Sequence, residues 1–466
     1  MELRKKKSEH TVAAIFALAG PTMLEQLMQT AVQYVDTAMV GSLGTQATAA
    51  VGSTGTVNWL VSSTISAVGV GLLAYISRAL GEGDHKKAKA ASGQAVLIVL
   101  ILGVLFTALT LLLSPYVPVW MRVEPQTRDL AARYFFIIYS PMLFRTASII
   151  FGTVLRAAGD TKTPLKVGIL VNAVNVSLNF LLIYPFRQVR LWKWICTIPG
   201  AGWGIYGAAA ASAIAFVVGG VCMAVALWHH PDISPKGQRI RPVGSVLRPC
   251  LRVAWPNALQ RFGTSFGYVI FASMINALGD VSTAAHTIAN TVESAFYIPG
   301  YGMQAAAATL AGNALGEGNA DKLKKLGRSI LRIEVLLMIF SGGLLFLLAP
   351  GMVKLFSTND RVIFLGIVVL RMVALSEPFY GISIVVEGML QGLGRTVFPL
   401  AVNLMGMWLI RIFGTFVCTR LLGMGLVSAW ACMIGHNMLI SLVYSIFYGT
   451  GRWNPFEKQE KIKNNT

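Results

Sequence analysis

The chain has 466 residues, 55% of them hydrophobic and only 13% charged, about half the charged share of a soluble domain. Mean hydropathy is +0.63, so the charged side chains are too few to coat a water-facing surface, and a soluble globular fold is excluded. The formal net charge of +19 would suit nucleic acid, but its placement along the chain argues for a membrane surface instead.

Apolar stretches long enough to cross a bilayer, about 20 residues, recur from end to end. They predict an all-α polytopic membrane protein with twelve transmembrane helices. The first six fall at roughly 11–40, 48–77, 92–113, 130–155, 164–186 and 204–228. After a connecting loop at 229–247, six more fall at 248–277, 283–312, 328–349, 362–390, 397–419 and 424–448. The expected domains are one six-helix bundle over 1–228, a second over 248–450, and a polar tail over 451–466. The opening MELRKKKSEH resembles the start of a secretory signal, but the apolar run behind it is too long and contains Glu25 and Asp36, so it reads as a retained first span. Of the 39 Lys and Arg residues, 26 lie at the two termini, in the even-to-odd loops or at the span ends that adjoin those loops, against eight in the other loops. By the positive-inside rule both termini are expected in the cytoplasm of a cell whose plasma membrane the chain crosses. The basic loops would lie against anionic lipid, with no nucleic-acid partner. The five cysteines show no CxxC spacing and suggest neither a disulfide framework nor a metal site.

An ionisable group at the centre of a bilayer costs about 2.5–3.5 kcal/mol on insertion scales, so polar residues inside spans are the functional candidates. In the first span Thr22, Gln26, Gln29, Gln33 and Asp36 are spaced 4, 3, 4 and 3. At about 100° per residue they share an arc of roughly 80°. Asp36 is the candidate for cation coupling, because a carboxyl out of water can take up and release a proton; Gln29 and Gln33 would line a substrate cavity. The plainer reading of the glutamines is hydrogen bonding to neighbouring helices. Tyr139 in the fourth span is either a cavity residue or interface packing. In the fifth span Asn172, Asn175 and Asn179 form a second stripe, spaced 3 and 4. The eighth carries His286, Asn290, Glu293 and Tyr297 on one face, and the tenth carries Glu377, Tyr380, Glu387 and Gln391. Asn290, Glu293, Tyr297, Glu377 and Glu387 join the candidate substrate cavity, with Glu387 expected opposite Arg395 or Arg411; His286 alone reads as a structural histidine. GWGIYG at Gly202–Gly207 fits GxGxxG, but no strand precedes it, so it reads as small-residue helix packing. No Walker motif and no nucleophile–base arrangement is present, which argues against ATP drive and against an enzyme.

The pentapeptide ALGEG at Ala79–Gly83 returns at Ala314–Gly318, 235 positions later. At the same offset AGPTMLEQL falls on AWPNALQRF, SLGTQATAA on ALGDVSTAA, and AAGDTKTPL on GLGRTVFPL. Near the ends GWGIYGAAA matches GMGLVSAWA at an offset of 221, and the difference fits an extra loop, RQVRLWKWICTIPG, in the first copy. A shared phase over so many landmarks indicates a duplicated unit. Each copy has six spans, an even number, so the two should enter the membrane in the same direction. That is the parallel repeat of one class of secondary transporters, which bind substrate between the halves and open to each side in turn.

The pattern resembles the multidrug and toxic compound extrusion (MATE) family over nearly the whole chain. The residues that carry the resemblance are PTMLEQLMQTAVQYVDTAMVGSLG in span 1, LRAAGDTKTPL and NVSLNFLLIYP at span 5, AAHTIANTVESAFYIPGYGMQAAAATLAGNALGEGN at span 8 and NLMGMWLIRIF in span 11. The resemblance implies an antiporter that expels amphipathic, often cationic compounds in exchange for H⁺ or Na⁺, acting here as a monomer and without a cofactor. It implies that Asp36, in its VDT context, is the cation-coupling group and that NVSLN, with Asn175 and Asn179, faces it; Asn172 joins the proposed coupling set through its place on the same stripe. Span 7 departs from one branch of the family in lacking a carboxylate after its proline. The competing function is a flippase of the same superfamily for lipid-linked oligosaccharides, whose pyrophosphate cargo calls for a basic cavity. The deeper spans carry Arg145, Arg261 and Arg411 against Glu25, Asp36, Glu293, Glu377 and Glu387, which favours cationic cargo.

Overall fold

A chain in lipid must satisfy its backbone hydrogen bonds internally, and helices do so within one segment. The structure, a computed structural model, describes residues 2–121, 123–191, 194–238 and 240–457; residues 458–466 of the expected polar tail lie outside that range. The first part contains α1 (Glu2–Gly41), α2 (Thr45–Gly81), α3 (His85–Leu113), the single turn α4 (Val117–Trp120), α5 (Pro125–Tyr139), α6 (Met142–Ala157), α7 (Lys162–Leu182) and α8 (Ile205–His229). The second contains α9 (Gly244–Asn276), α10 (Asp280–Phe296), α11 (Ile298–Gly316), α12 (Ala320–Phe356), α13 (Asp360–Ala374), α14 (Glu377–Gly392), α15 (Val397–Met405), α16 (Phe413–Phe416) and α17 (Leu426–Gly449).

Among the described residues eight helices are long and apolar enough to cross a membrane, and ten spans result if each of two bent pairs counts as one. The bent pairs are the fourth and tenth predicted spans. The α5–α6 pair turns by 50° and the α13–α14 pair by 52°, each at a proline (Pro141, Pro378) that cannot continue a helix without losing a backbone hydrogen bond. The seventh and eighth predicted spans are helical but fall short of the criterion. Helix α9 carries Arg248, Arg252 and Arg261 along with Pro249 and Pro256, and the eighth span is broken at Tyr297 into α10 and α11, with Pro299 opening the second piece. The eleventh span, Val397–Leu421, contains π-helical stretches at Gly406–Ile412 and Val417–Leu421, a geometry common at functional sites.

One segment departs from the all-α expectation. Strands β1 (Pro185–Leu191) and β2 (Trp194–Ala201) pair antiparallel, with Val189 opposite Cys196 and Gln188 opposite Thr197. They occupy the insert expected to be a plain loop. Strand β2 ends directly before Gly202, so a strand does precede GWGIYG. It is one arm of an antiparallel hairpin and not of a βαβ unit, so the dinucleotide reading stays excluded.

The repeat is written into the helix ends. Positive-φ glycines recur at the sequence offset: Gly44 and Gly279, Gly83 and Gly318, Gly159 and Gly394, and, at the shorter offset, Gly202 and Gly423. In both ALGEG copies the chain closes α2 or α11 with the same pair of bonds. Asp84 N–H donates to Ala79 O and Gly83 N–H to Leu80 O; Asn319 and Gly318 make the corresponding bonds to Ala314 O and Leu315 O. This is the Schellman closure, whose left-handed residue glycine adopts without a Cβ clash.

By packing, the chain forms two compact units that are not the two sequence halves. One comprises Leu24–Leu72 and His85–Leu247; the other comprises the segment up to Met23, Leu73–Asp84 and the described chain from Arg248 on. The reason lies in the start of α1: Ile15 and Ala19 are fully buried in a core with Met303, Ala306, Ile384, Val385 and Tyr444, so that stretch belongs with the second copy's helices.

Candidate functional site

In the unit of residues 24–72 and 85–247, three helices converge on Asp36. Asn179, on α7, donates from Nδ2 to Asp36 Oδ1 at 2.6 Å and to Asn175 Oδ1 at 3.2 Å. Asn175 reaches Ser212 on α8 at 3.1 Å. With its amide turned over, Asn175 itself donates to Asp36 at 2.9 Å to Oδ1 and 3.2 Å to Oδ2, while its oxygen accepts from Ser212. Asn175 and Asn179 lie one helical turn apart, which is why a single helix face can present two amides to one carboxylate. The carboxylate is thus held by neutral donors, with no salt-bridge partner among the described residues. Tyr134, buried on α5, lies within electrostatic reach of Asp36.

The remaining candidates of this unit divide differently. Asn172 makes no hydrogen bond among the described residues, and its Nδ2 is buried without a partner, so it stands outside the Asp36 network. Tyr139 is buried, stacks on Phe135 at 4.2 Å and donates to Asn58 Oδ1 at 3.4 Å, an arrangement of packing rather than of an open wall. Arg145 donates to Ser62 Oγ at 2.7 Å and lies over the Phe216 ring. Gln29 and Gln33 are exposed, with Gln29 reaching back to Glu25 at 3.5 Å. Glu25 pairs with Arg156 at 3.2 Å.

In the other unit the carboxylates gather at helix breaks. Glu293, near the end of α10, accepts a hydrogen bond from Tyr297 at the α10–α11 break. Tyr297 packs against Tyr380, ring centroids 4.7 Å apart. Glu377 opens α14 at the 52° bend and lies within electrostatic reach of Glu293 and of Glu334 on α12. Glu334 is fully buried, and among the described residues neither its oxygens nor those of Glu377 have a hydrogen-bond partner. Its carboxyl fits between α11 and α14 because both present glycine there: a Cβ at Gly300 or Gly381 would come within 3.2 Å of Glu334 Oε1.

Glu387 is held otherwise than expected. Its Oε1 accepts from Gln260 Nε2 and Gln391 Nε2, each at 3.0 Å, and Oε2 accepts from Asn403 Nδ2 at 3.1 Å. The expected arginines are engaged elsewhere. Arg395 donates to Arg452 O and Trp453 O, while Arg411 is buried over the rings of Tyr268 and Phe271 and against Met433. Asn290 is exposed and makes no hydrogen bond among the described residues. His286 packs edge-on against Phe271 and Trp430, as a structural histidine does.

The family profile MatE matches the chain twice, over residues 21–181 and 256–417. The chain belongs to the MatE family. The two matches begin 235 residues apart, the offset of the sequence repeat. As a MATE protein it is a transporter rather than an enzyme. It is 27% identical to the probable multidrug resistance protein NorM of Thermotoga maritima, over 94% of this chain and 92% of that protein. Among solved structures it is similar to MATE in complex with MaL6, with a TM-score of 0.86 and 23% identity over 96% of this chain and 97% of the other. It is equally similar to an outward-facing multidrug resistance MATE family transporter of the MOP superfamily, with a TM-score of 0.86 and 22% identity over 96% of both chains. At that identity the likeness establishes the MATE fold.

Sequence reasoning missed three residues of these clusters. Ser212 sits in the small-residue run AAAASAIA, where a hydroxyl reads as packing. Tyr134 lies off the polar stripes. Glu334 was the most legible of the three: a lone carboxylate in RIEVLLMIF meets the same criterion that singled out Asp36.

Proposed function

We propose that the chain is a secondary antiporter that exports amphipathic, cationic organic compounds in exchange for H⁺ or Na⁺, with Asp36 as the coupling group. The observation that carries this reading is the amide cradle. Asn179 and Asn175 stabilise the ionised carboxylate without supplying a counter-charge, so the carboxylate can be held empty and still accept a cation. A salt bridge to Lys or Arg would fill the site permanently. Binding a cation cancels the charge and frees the amides, giving the two occupancy states different local structures. A ligand shifts a two-state protein only through its differential affinity for the states, and this cradle is a physical source of that difference. The similarity to a probable multidrug resistance protein of T. maritima supports organic cargo. So does the surplus of buried carboxylates in the other unit, where Glu293, Glu334 and Glu377 outnumber buried arginines; a pyrophosphate-lipid flippase would call for the opposite balance. The basic residues at the termini and even-to-odd loops support an orientation with both ends in the cytoplasm and contact with anionic lipid there.

Asp36→Asn tests the reading. Asparagine keeps the shape and removes the charge, so the variant is expected to fold and reach the membrane yet lose gradient-driven efflux in proteoliposomes, whether a pH or a Na⁺ gradient is imposed. Undiminished efflux would move coupling to the carboxylates of α10, α12 and α14.

A further inference from the structure

A groove of about 480 Å³ opens among α12, α14 and α17, lined by Leu331, Val335, Leu336, Ile382 and Val386, with Arg332, Ser445 and Tyr448 as its polar members. That volume lies within the range of small-molecule sites, about 300–1,000 Å³. The surface around it is apolar and exposed on helices of spanning length: Leu336, Ile339 and Phe340 on α12, and Leu442 and Ile446 on α17. On a membrane protein such a surface is covered by lipid.

The groove has a charged end. Arg328 and Arg332 stand one turn apart on α12, just before its apolar run. Of the acids around that helix start, Glu317 pairs with Lys322 and Glu457 with Lys324. Neither Arg328 nor Arg332 has an acidic partner among the described residues. The Tyr448 hydroxyl lies over α12 at Gly327, where an added Cβ would meet it at 2.8 Å, and its ring stacks on Trp453 with centroids 4.8 Å apart. Tyr and Trp collect at the level of lipid headgroups, so the arginines stand where a phosphate would be.

We propose that this groove binds an anionic phospholipid, with one acyl chain along Leu331, Val335, Leu336, Ile382 and Val386 and the phosphodiester on Arg328 and Arg332. Ser445 and Tyr448 supply hydroxyl donors. Two unpaired guanidinium groups repel the ammonium of a zwitterionic headgroup, so the site selects net negative lipid. The proposal rests on the membrane-spanning fold, not on the antiport reading.

The test uses the full chain in nanodiscs of equal parts phosphatidylcholine and phosphatidylglycerol, with retained lipid counted by native mass spectrometry and affinity read by titrating spin-labelled phosphatidylglycerol. Arg328→Gln/Arg332→Gln is expected to weaken phosphatidylglycerol binding about thirty-fold and to leave phosphatidylcholine unchanged. Ser445→Phe, which fills the groove and keeps both arginines, is expected to abolish retention; it decides the matter alone should the double variant fail to fold. Equal retention by wild type and either variant would overturn the proposal. So would displacement of the labelled lipid by inorganic phosphate, which would mark a simple anion site. Because efflux is not the readout, failure here leaves the Asp36 reading untouched.

Discussion

Asn179→Ala removes the amide that lies 2.6 Å from Asp36 Oδ1. A hydrogen bond to a charged group contributes about 1.5–3 kcal/mol net, and this one favours Asp36 only while the carboxylate is free of a cation. Its loss therefore shifts the balance toward the occupied state. The cation should be held about ten- to a hundredfold more tightly. Asn175 limits the gain, since its turned amide still reaches Oδ1 at 2.9 Å, so the lower end of that range is expected. Calorimetric titration of the purified protein with Na⁺, and proton uptake measured in weak buffer, read the affinity directly. Efflux under a fixed gradient should slow, because release of the cation becomes limiting. A thermal melt alongside separates this from loss of packing at a buried position. Unchanged or weaker cation binding in a folded variant would refute the cradle and make the Asn179 oxygen a ligand of the cation.

Two further outcomes follow from geometry. Arg156→Met strands the largely buried Glu25 carboxylate and should cost about 3 kcal/mol or more, whereas Glu25→Gln/Arg156→Met should recover much of that loss in a detergent thermal melt; equal losses would show that the pair does not act as one. Cys418 and Cys432 have Sγ atoms 3.8 Å apart, so a mild two-electron oxidant should take two electrons and two protons from the pair and leave both unreactive to maleimide. Persistent labelling of both thiols would contradict that proximity.

What the sequence made legible was whatever depends on period. The 3 and 4 spacing of Asn172, Asn175 and Asn179 put all three on one face of α7, and two of them do meet Asp36. Periodicity has no depth coordinate, however, and Asn172, a turn earlier, misses the carboxylate. The same limit applies to Asn290 and Glu293: one face of α10, yet one residue is exposed and the other buried. Glu387 misled because charge suggests a counter-charge. In lipid, three amides satisfy a carboxylate as completely as one arginine does, and the sequence does not say which neighbours fold against it. The hairpin at Pro185–Ala201 was hidden for another reason. Its alternation spans only a few residues and sits between two strong apolar spans, where a short strand carries little weight. The turns, in contrast, were local: LGEG and AAGD each need a left-handed residue, and glycine stands there.

The burial of Ile15 and Ala19 among Met303, Ala306 and Ile384 has a consequence for biosynthesis. A ribosome releases the first helix long before it has made α11 or α14. Until then the leading stretch of α1 has no native neighbour, and its apolar side chains must be shielded by lipid or by an insertion chaperone. Premature termination after the connecting loop would leave that stretch permanently without its core, an orphan for membrane quality control to recognise. Co-expressing the missing second portion as a separate polypeptide should rescue such a fragment from degradation.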